Sequence, residues 1–265
     1  MRRRCEGQVV WVTGASSGIG AALAEAYARE GARVVLSSRR HSELAEVARR
    51  CGSEAWALPL DLCQPDTFPA LVDAVLERWG RIDVVVHNGG VSQRSRVQET
   101  RLEVDRRIME VNYFGAVALT KAVLPSMLRA KRGQFVVISS VMGKIGTPQR
   151  SAYAASKHAL HGFFDCLRAE VADDGVVVTL VCPGYIRTAV SKNALRGDGS
   201  PKNEDDIDIV RGHPADRTAD QILDAATQNE SEVYVGAFGK ERLALLLHRF
   251  APTVLERVVR RATPK

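Results

Sequence analysis

Short, unbroken apolar runs alternate along this chain with longer stretches whose apolar positions recur every three or four residues. The short runs are Gln8–Thr13, Arg33–Ser38, Ala55–Pro59, Ile82–His87, Gln134–Ser139, Val176–Cys182 and Glu232–Val235. Runs that are apolar at successive positions, rather than at every second one, mark strands buried on both faces, as in parallel sheets. The periodic stretches predict helices over Ser17–Glu30, Ser42–Arg50, Pro65–Trp79, Val104–Ala130 and Ser151–Ala172. Gly31 supplies a stop for the first of these, and Pro65 a start for the third. Strict alternation of strand and helix predicts an α/β fold: a Rossmann-type, doubly wound sheet of about seven parallel strands with helices on both faces. At 265 residues the chain reads as a single domain with ample core, free of internal repeats.

Two segments break the rhythm. Ser191 to Arg217 is polar and rich in Gly, Pro and Asp, with the acidic run Glu204-Asp-Asp206. It follows the sixth strand, at the carboxyl ends where ligands bind in such sheets, so it is expected to be a mobile substrate lid or plain surface disorder. Thr218-Ala-Asp-Gln221 then reads as a capping box opening the next helix. The second segment is the tail, 240–265. Its apolar positions, Leu243, Leu245, Leu246, Leu247, Phe250, Val254, Leu255, Val258 and Val259, fall on two helical pieces split by Pro252.

Charge and cysteine usage narrow the picture little. The net charge is +6, with 26% charged and 45% hydrophobic residues, ordinary for a globular protein. No basic and aromatic stripe points to nucleic acid. Cys5, Cys51, Cys63, Cys166 and Cys182 are odd in number and widely spaced, without a Cys-x-x-Cys pair, so reduced thiols are expected. Cys166 and Cys182 fall in apolar runs and are expected in the core. His158 and His161 lack acidic or thiol partners at ligand spacing, so no metal site is expected. The opening Met1-Arg-Arg-Arg-Cys5 has the basic flank of a signal peptide without its apolar region, and no apolar stretch is read as spanning a bilayer. A cytoplasmic protein, soluble or peripheral at a membrane, is the expectation.

Two motifs carry chemistry. Thr13-Gly-Ala-Ser-Ser-Gly-Ile-Gly20 follows the first strand and opens the first helix. Glycines there let backbone approach a pyrophosphate, which the helix N-terminus then attracts. Gly14, Ser16, Ser17, Gly18, Ile19 and Gly20 are the expected contacts. An NAD enzyme would place an acid at the end of the second strand for the ribose 2′-hydroxyl. This chain has Ser38 there, followed by Arg39 and Arg40, so NADP(H) is the expected cofactor. Asp61 and Leu62, after the third strand, are placed for the adenine side; Asp61 could equally cap the next helix.

The second motif is Ser151-Ala-Tyr-Ala-Ala-Ser-Lys157, with Ser140 thirteen residues before Tyr153 at the end of an apolar run. Tyr153 and Lys157 are four apart and share a helix face. A free tyrosine titrates near ~10, and a neighbouring ammonium is expected to lower that value. Ser140 could polarise a substrate oxygen that Tyr153 protonates as hydride arrives at carbon.

These residues together resemble the short-chain dehydrogenase/reductase superfamily over nearly the full length. The matching pieces are the glycine turn, Asp61, His87-Asn-Gly-Gly90, Asn112 in Val111-Asn-Tyr-Phe-Gly115, Ser140, Tyr153, Lys157 and Pro183-Gly-Tyr-Ile-Arg-Thr188. The resemblance implies a catalytic tetrad of Asn112, Ser140, Tyr153 and Lys157, with Asn112 holding a water that links Lys157 to solvent. It implies that Tyr153 and Lys157 also touch the cofactor, that Asn88 and Gly90 line its adenosine side, and that Pro183, Gly184, Ile186 and Thr188 line its nicotinamide. His87 stands where the family usually has Asn, and is a poor candidate for catalysis. Further runs, such as Gly90-Val-Ser-Gln-Arg94 and Phe163-Phe-Asp-Cys-Leu-Arg-Ala-Glu170, look like the branch containing acyl/alkyl-dihydroxyacetone-phosphate reductase. Animal members of that branch carry an N-terminal membrane anchor, and none is expected from the opening residues here.

The resemblance implies a ketone/alcohol oxidoreductase acting on a lipid-like small molecule, and a homodimer or homotetramer built through the Val104–Ala130 and Ser151–Ala172 helices. A 3-oxoacyl thioester or 3-ketosphinganine reductase would use the same machinery. A cofactor-binding redox sensor without turnover is the reading from another class, though a sensor has no need of Tyr153. Arg94 or Arg96 could meet an anionic headgroup, or belong to a solvated loop. The tail has seven basic against two acidic residues, which suits either an anionic membrane surface or packing over its own active site or a subunit neighbour.

Overall fold

A computed structural model describes residues 3–237 and 239–261. The strands β1 (Val9–Thr13), β2 (Arg33–Ser37), β3 (Ala55–Ala57), β4 (Val84–His87), β5 (Gly133–Ile138), β6 (Val176–Pro183) and β7 (Glu232–Val235) form one sheet in the order β3-β2-β1-β4-β5-β6-β7. Every neighbouring pair is parallel. This is the expected doubly wound sheet, and its order reverses between β1 and β4, leaving a crevice at their carboxyl ends.

Period-two alternation sorts the strand residues onto two faces. Val10, Val12, Val34, Leu36, Val84, Val86 and Val136 meet helices α1 (Gly18–Arg29), α2 (His41–Cys51) and, further along the chain, one over Ala215–Thr227. Val9, Trp11, Val35, Val85, Phe135 and Val137 meet α3 (Phe68–Trp79), α5 (Gly115–Ala130) and α6 (Ser151–Glu170). Each large side chain so buried contributes roughly 1.5–3 kcal/mol. The polar atom of Trp11 is satisfied within the core: its Nε1 donates to Ser37 Oγ at 2.9 Å, and Ser37 donates to Leu58 O at 2.5 Å.

The structure modifies four expectations. The long helix over 104–130 is three pieces: α4 (Leu102–Met109), a π turn over Glu110–Phe114, and α5. The continuous run Leu102–Ala130 is long and apolar enough to cross a membrane by length and composition, contrary to the expectation that no stretch would be. Leu119, Val123 and Met127 nevertheless pack beneath the sheet. The helix expected to be capped by Thr218 begins at Ala215 with Pro214 at its N-cap; Thr218 is buried inside it and donates to Pro214 O at 2.8 Å. Cys182 is buried, but Cys166 is exposed, because it lies on the outer side of α6 next to the inward-facing Leu167. All five cysteines are free thiols.

The segment after β6 holds a short helix, α7 (Ile207–Val210), before α8 (Ala215–Thr227). It is tied down rather than open. Leu195 N donates to Ser92 O and accepts from Arg94 N through its carbonyl, both at 2.9 Å. Arg94, mostly buried, binds Asp206 through Nε and Nη2 at 2.8 and 2.6 Å. Helices α9 (Lys240–Phe250) and α10 (Pro252–Arg261) follow β7 and pack against each other. The last four residues of the basic tail lie outside the described residues.

Candidate active site

One cleft of about 970 Å³ opens at the carboxyl ends of the strands. Its walls include Gly14, Ser16, Ser17, Gly18, Ile19, Ser38, Arg39, Asp61, Leu62, Asn88 and Gly90 at one end. Ser140, Tyr153, Lys157, Pro183, Gly184, Ile186 and Thr188 line the rest. Residues spread over most of the chain are thus brought together by the strand order.

The floor of the nucleotide end is shaped by close approach. Gly14 has φ +64°, and a Cβ there would sit 2.7 Å from Gly89 Cα. Asn88 Nδ2 donates to Thr13 O and Gly14 O at 3.1 and 3.2 Å, clamping the turn to β4. Ser17, the N-cap of α1, makes no side-chain cap, and Gly18 and Ile19 of the first turn line the cleft. Gly20 does not line the cleft. It is the packing glycine: a Cβ would lie 2.4 Å from Gly14 O and from Asn88 Nδ2. The cradle fits a dinucleotide pyrophosphate, since side chains at these positions would fill it.

Arg40 is the residue that sequence reasoning underrated. Ser38 Oγ accepts from Arg40 N at 3.2 Å and folds the β2–α2 turn back. Arg40 then donates through Nη2 to Ser16 Oγ and Ser17 Oγ at 2.8 and 2.6 Å. Its guanidinium stands over the glycine turn, while Arg39 is an exposed part of the wall. The adjacent serine hydroxyls at positions 16 and 17 were the available signal. Asp61 Oδ1 accepts from Cys63 N at 3.0 Å, starting the following turn while still lining the cleft.

At the other end, Tyr153 lines the cleft with Ser140, whose hydroxyl favours the phenolate. Ser140 Oγ also accepts from Met142 N at 3.1 Å, which fixes its rotamer. Lys157 is buried, with Nζ donating to Ile138 O at 2.7 Å and lying 5.8 Å from the Tyr153 ring centroid. Burial lowers its pKa to about 8. The expected depression of Tyr153 by Lys157 is not found. Burial raises the tyrosine above its ordinary value, and the groups that oppose this are Ser140, Arg150 and Arg94. The ammonium points at a backbone carbonyl rather than at the phenol, which explains the difference.

Asn112 sits behind the cleft, buried in the π turn. Its Oδ1 accepts from Val91 N at 2.8 Å; its Nδ2 donates to Val91 O and Ser156 Oγ, both at 2.9 Å. The side chain therefore pins α4–α5 to the β4 loop and to the Tyr153 helix. The widened turn frees the local backbone, as such bulges do. Gln93, fully buried, ties the same loop to the start of α6. Its Oε1 accepts from Ala152 N at 2.9 Å, next to Tyr153.

Of the two arginines beyond Gly90, only Arg96 fits a solvated loop. Arg94 is committed to Asp206, with Nη1 also donating to Ser92 Oγ and Gln93 O, and Arg96 is exposed outside the cleft walls. Lys202 and Arg150 also pair with Asp206. Arg150 lines the cleft and was given no role from sequence. His87 is buried, with Nε2 2.8 Å from Thr120 Oγ1 and its ring stacked on Phe135, and burial holds its pKa down at about 3. It is a core residue.

Fold, glycine cradle and the serine–tyrosine–lysine cluster define a nucleotide-dependent oxidoreductase, and the pattern of the short chain dehydrogenase family matches residues 8–198. The chain belongs to that family and is an NAD(P)-dependent dehydrogenase/reductase. It is 46% identical to the Anopheles gambiae dehydrogenase/reductase SDR family protein 7-like, over 99% of this chain and 85% of that protein. It is 40% identical to mouse dehydrogenase/reductase SDR family member 7B, over 95% of this chain and 80% of that protein. Among solved structures, a short-chain dehydrogenase from Streptomyces avermitilis superposes with a TM-score of 0.82 at 32% identity, covering 98% of this chain and 100% of the other. A metagenomic short-chain oxidoreductase in complex with NADP gives a TM-score of 0.74 at 34% identity, covering 88% and 98%.

Proposed function

We propose that this chain is an NADPH-dependent reductase that interconverts a ketone and a secondary alcohol on a lipid-like substrate. The observation that carries the reading is the continuity of one cleft, from the Arg40-guarded glycine turn, past Tyr153, to an apolar mouth. Met142, Ile145, Ile186, Leu195, Ile209 and Leu255 line that mouth.

A nicotinamide bound in such a cleft supplies the hydride. The protein's part is proton transfer and orientation. Ser140 donates a hydrogen bond to the substrate oxygen, and Tyr153 gives that oxygen a proton as charge develops on it. Lys157 would hold the sugar hydroxyls of a bound cofactor and, with a pKa of about 8, would supply protons towards Tyr153 through them. Asn112 keeps the backbone of the π turn open for the water that completes the path. Arg40 supports the preference for NADPH, because no acid stands at the end of β2 and a guanidinium suits a 2′-phosphate. The segment from Ser191 to His213 acts as the substrate lid, held shut by Arg94 and Asp206. The apolar surface at Leu102 and Phe114 supports a homodimer or homotetramer through α4–α6.

The test is NADPH consumption against acyl-dihydroxyacetone phosphate, 3-ketosphinganine, a 3-oxoacyl thioester and a steroid ketone. Turnover on at least one is expected, falling about a hundredfold or more in Tyr153→Phe. Undiminished turnover in that variant would overturn the assignment of the proton donor. Tight NADPH binding with no turnover on any ketone would favour a sensor.

A further inference from the structure

The last two helices have two distinct faces. Inward, Leu245, Leu247 and Leu255 pack with Met142, Ile145 and the Tyr153 ring. Outward, Leu243, Leu246 and Phe250 form one stripe on α9, and Val254 and Val258 continue it on α10. Beside them α7 presents Ile207 and Val210, joined to α9 through Lys240 and Asp208 at 2.7 Å. Among the described residues, seven of the eleven exposed large apolar side chains lie on these three short helices. Ile207 and Val258 do both jobs: they line the cleft and are exposed, at 70% and 51%. The mouth of the cleft therefore opens within the apolar patch.

Charge identifies the occupant. Arg242, Arg249, Arg257 and Arg260 are exposed on α9 and α10, against Glu241 and Glu256. A second copy of the chain seated on this face would bring two sets of arginines together. An anionic lipid surface would neutralise them while burying the apolar stripe. We propose that α9, α10 and α7 form an interfacial docking face for anionic membrane, with the cleft mouth turned to the lipid. A lipid ketone would then pass between bilayer and Tyr153 without crossing water. The docking rests on the face itself; only its purpose rests on the lipid-ketone reading.

The experiment is sedimentation of the full chain with phosphatidylcholine vesicles, with and without roughly one-third phosphatidylserine. Binding at least about tenfold tighter to the anionic vesicles is expected, since each basic residue near the surface adds about fivefold. Leu246→Glu with Phe250→Glu should lose about tenfold or more, and Arg249→Glu with Arg257→Glu should lose the anionic preference. Both double variants should reduce a water-soluble ketone at the parental rate. Equal sedimentation of parent and both variants would overturn the proposal, as would failure of the parent to bind anionic vesicles. A change of oligomer mass in the Leu246/Phe250 variant without loss of vesicle binding would instead assign the face to a second copy. Absence of turnover on every ketone would count against the enzymatic reading and leave the vesicle result standing.

Discussion

Replacing Lys157 with methionine should stabilise the protein while abolishing its turnover. The ammonium is buried, and its pKa falls from 10.5 to about 8. At about 1.36 kcal/mol per unit, keeping the side chain charged at neutral pH costs the folded state roughly 3 kcal/mol. Methionine has a similar flexible stem and no charge. It forfeits the hydrogen bond to Ile138 O, worth about 1 kcal/mol. The net gain at pH 7 is about 2 kcal/mol, or roughly 4–8 °C in Tm for a chain of this size. The pH dependence separates this account from better packing. Below about pH 8 the folded lysine is charged, so the penalty is fully present; between pH 8 and 10.5 it fades; above that it is gone. The advantage of Lys157→Met should therefore shrink as pH rises and become a small deficit beyond about pH 10.5. Urea unfolding of both proteins at pH 7 and 10, without added cofactor, measures it. A variant less stable than the parent at pH 7, or a difference of the same size at both pH values, would refute the reasoning.

Three other perturbations test separate parts of the structure. His87 stays neutral when folded, with a pKa of about 3, so stability should be lost as pH falls below about 6.5, by roughly 2 kcal/mol between pH 7 and 5; His87→Gln should remove most of that slope in urea titrations. Arg40→Ala should raise KM for NADPH about tenfold and leave KM for NADH nearly unchanged, and an equal change in both would remove Arg40 as the 2′-phosphate partner. Asp206→Asn leaves Arg94 buried without its carboxylate, so destabilisation of roughly 3 kcal/mol is expected, with faster proteolysis between Ser191 and His213. Proteolysis at the parental rate would show that the ion pair does not hold that segment.

The sheet was legible from the sequence because strands buried on both faces must be apolar at successive positions, and nothing in Val84–His87 or Val176–Pro183 competes with that signal. The glycine turn and the Ser140, Tyr153 and Lys157 positions were legible because their residue types are chemically demanding. What escaped were properties of the assembled structure. The π turn around Asn112 leaves apolar periodicity almost intact, so the run read as one helix. Gly20 looked like a cofactor contact, although its role is to admit Gly14 O. The charge environment of Tyr153 depends on where Lys157 points and on Arg94 and Arg150 from two different loops. Residue spacing carries none of this. The segment after β6 looked loose because its polar residues find partners only in three dimensions, Asp206 with Arg94 above all.

The position of β1 has a consequence for how the protein is made. β1 is synthesised before every other strand of its sheet and ends up in the interior, between β2 and β4. Once β2 and β3 have emerged, its other flank remains an unpaired edge, apolar at all but Thr13, until Val84–His87 arrives about seventy residues after Thr13. Such an edge is a template for wrong pairing with another nascent chain. The strand whose central place creates the nucleotide crevice is thus also the one most exposed during synthesis. Chaperone dependence should be concentrated in that early window rather than spread over the whole chain.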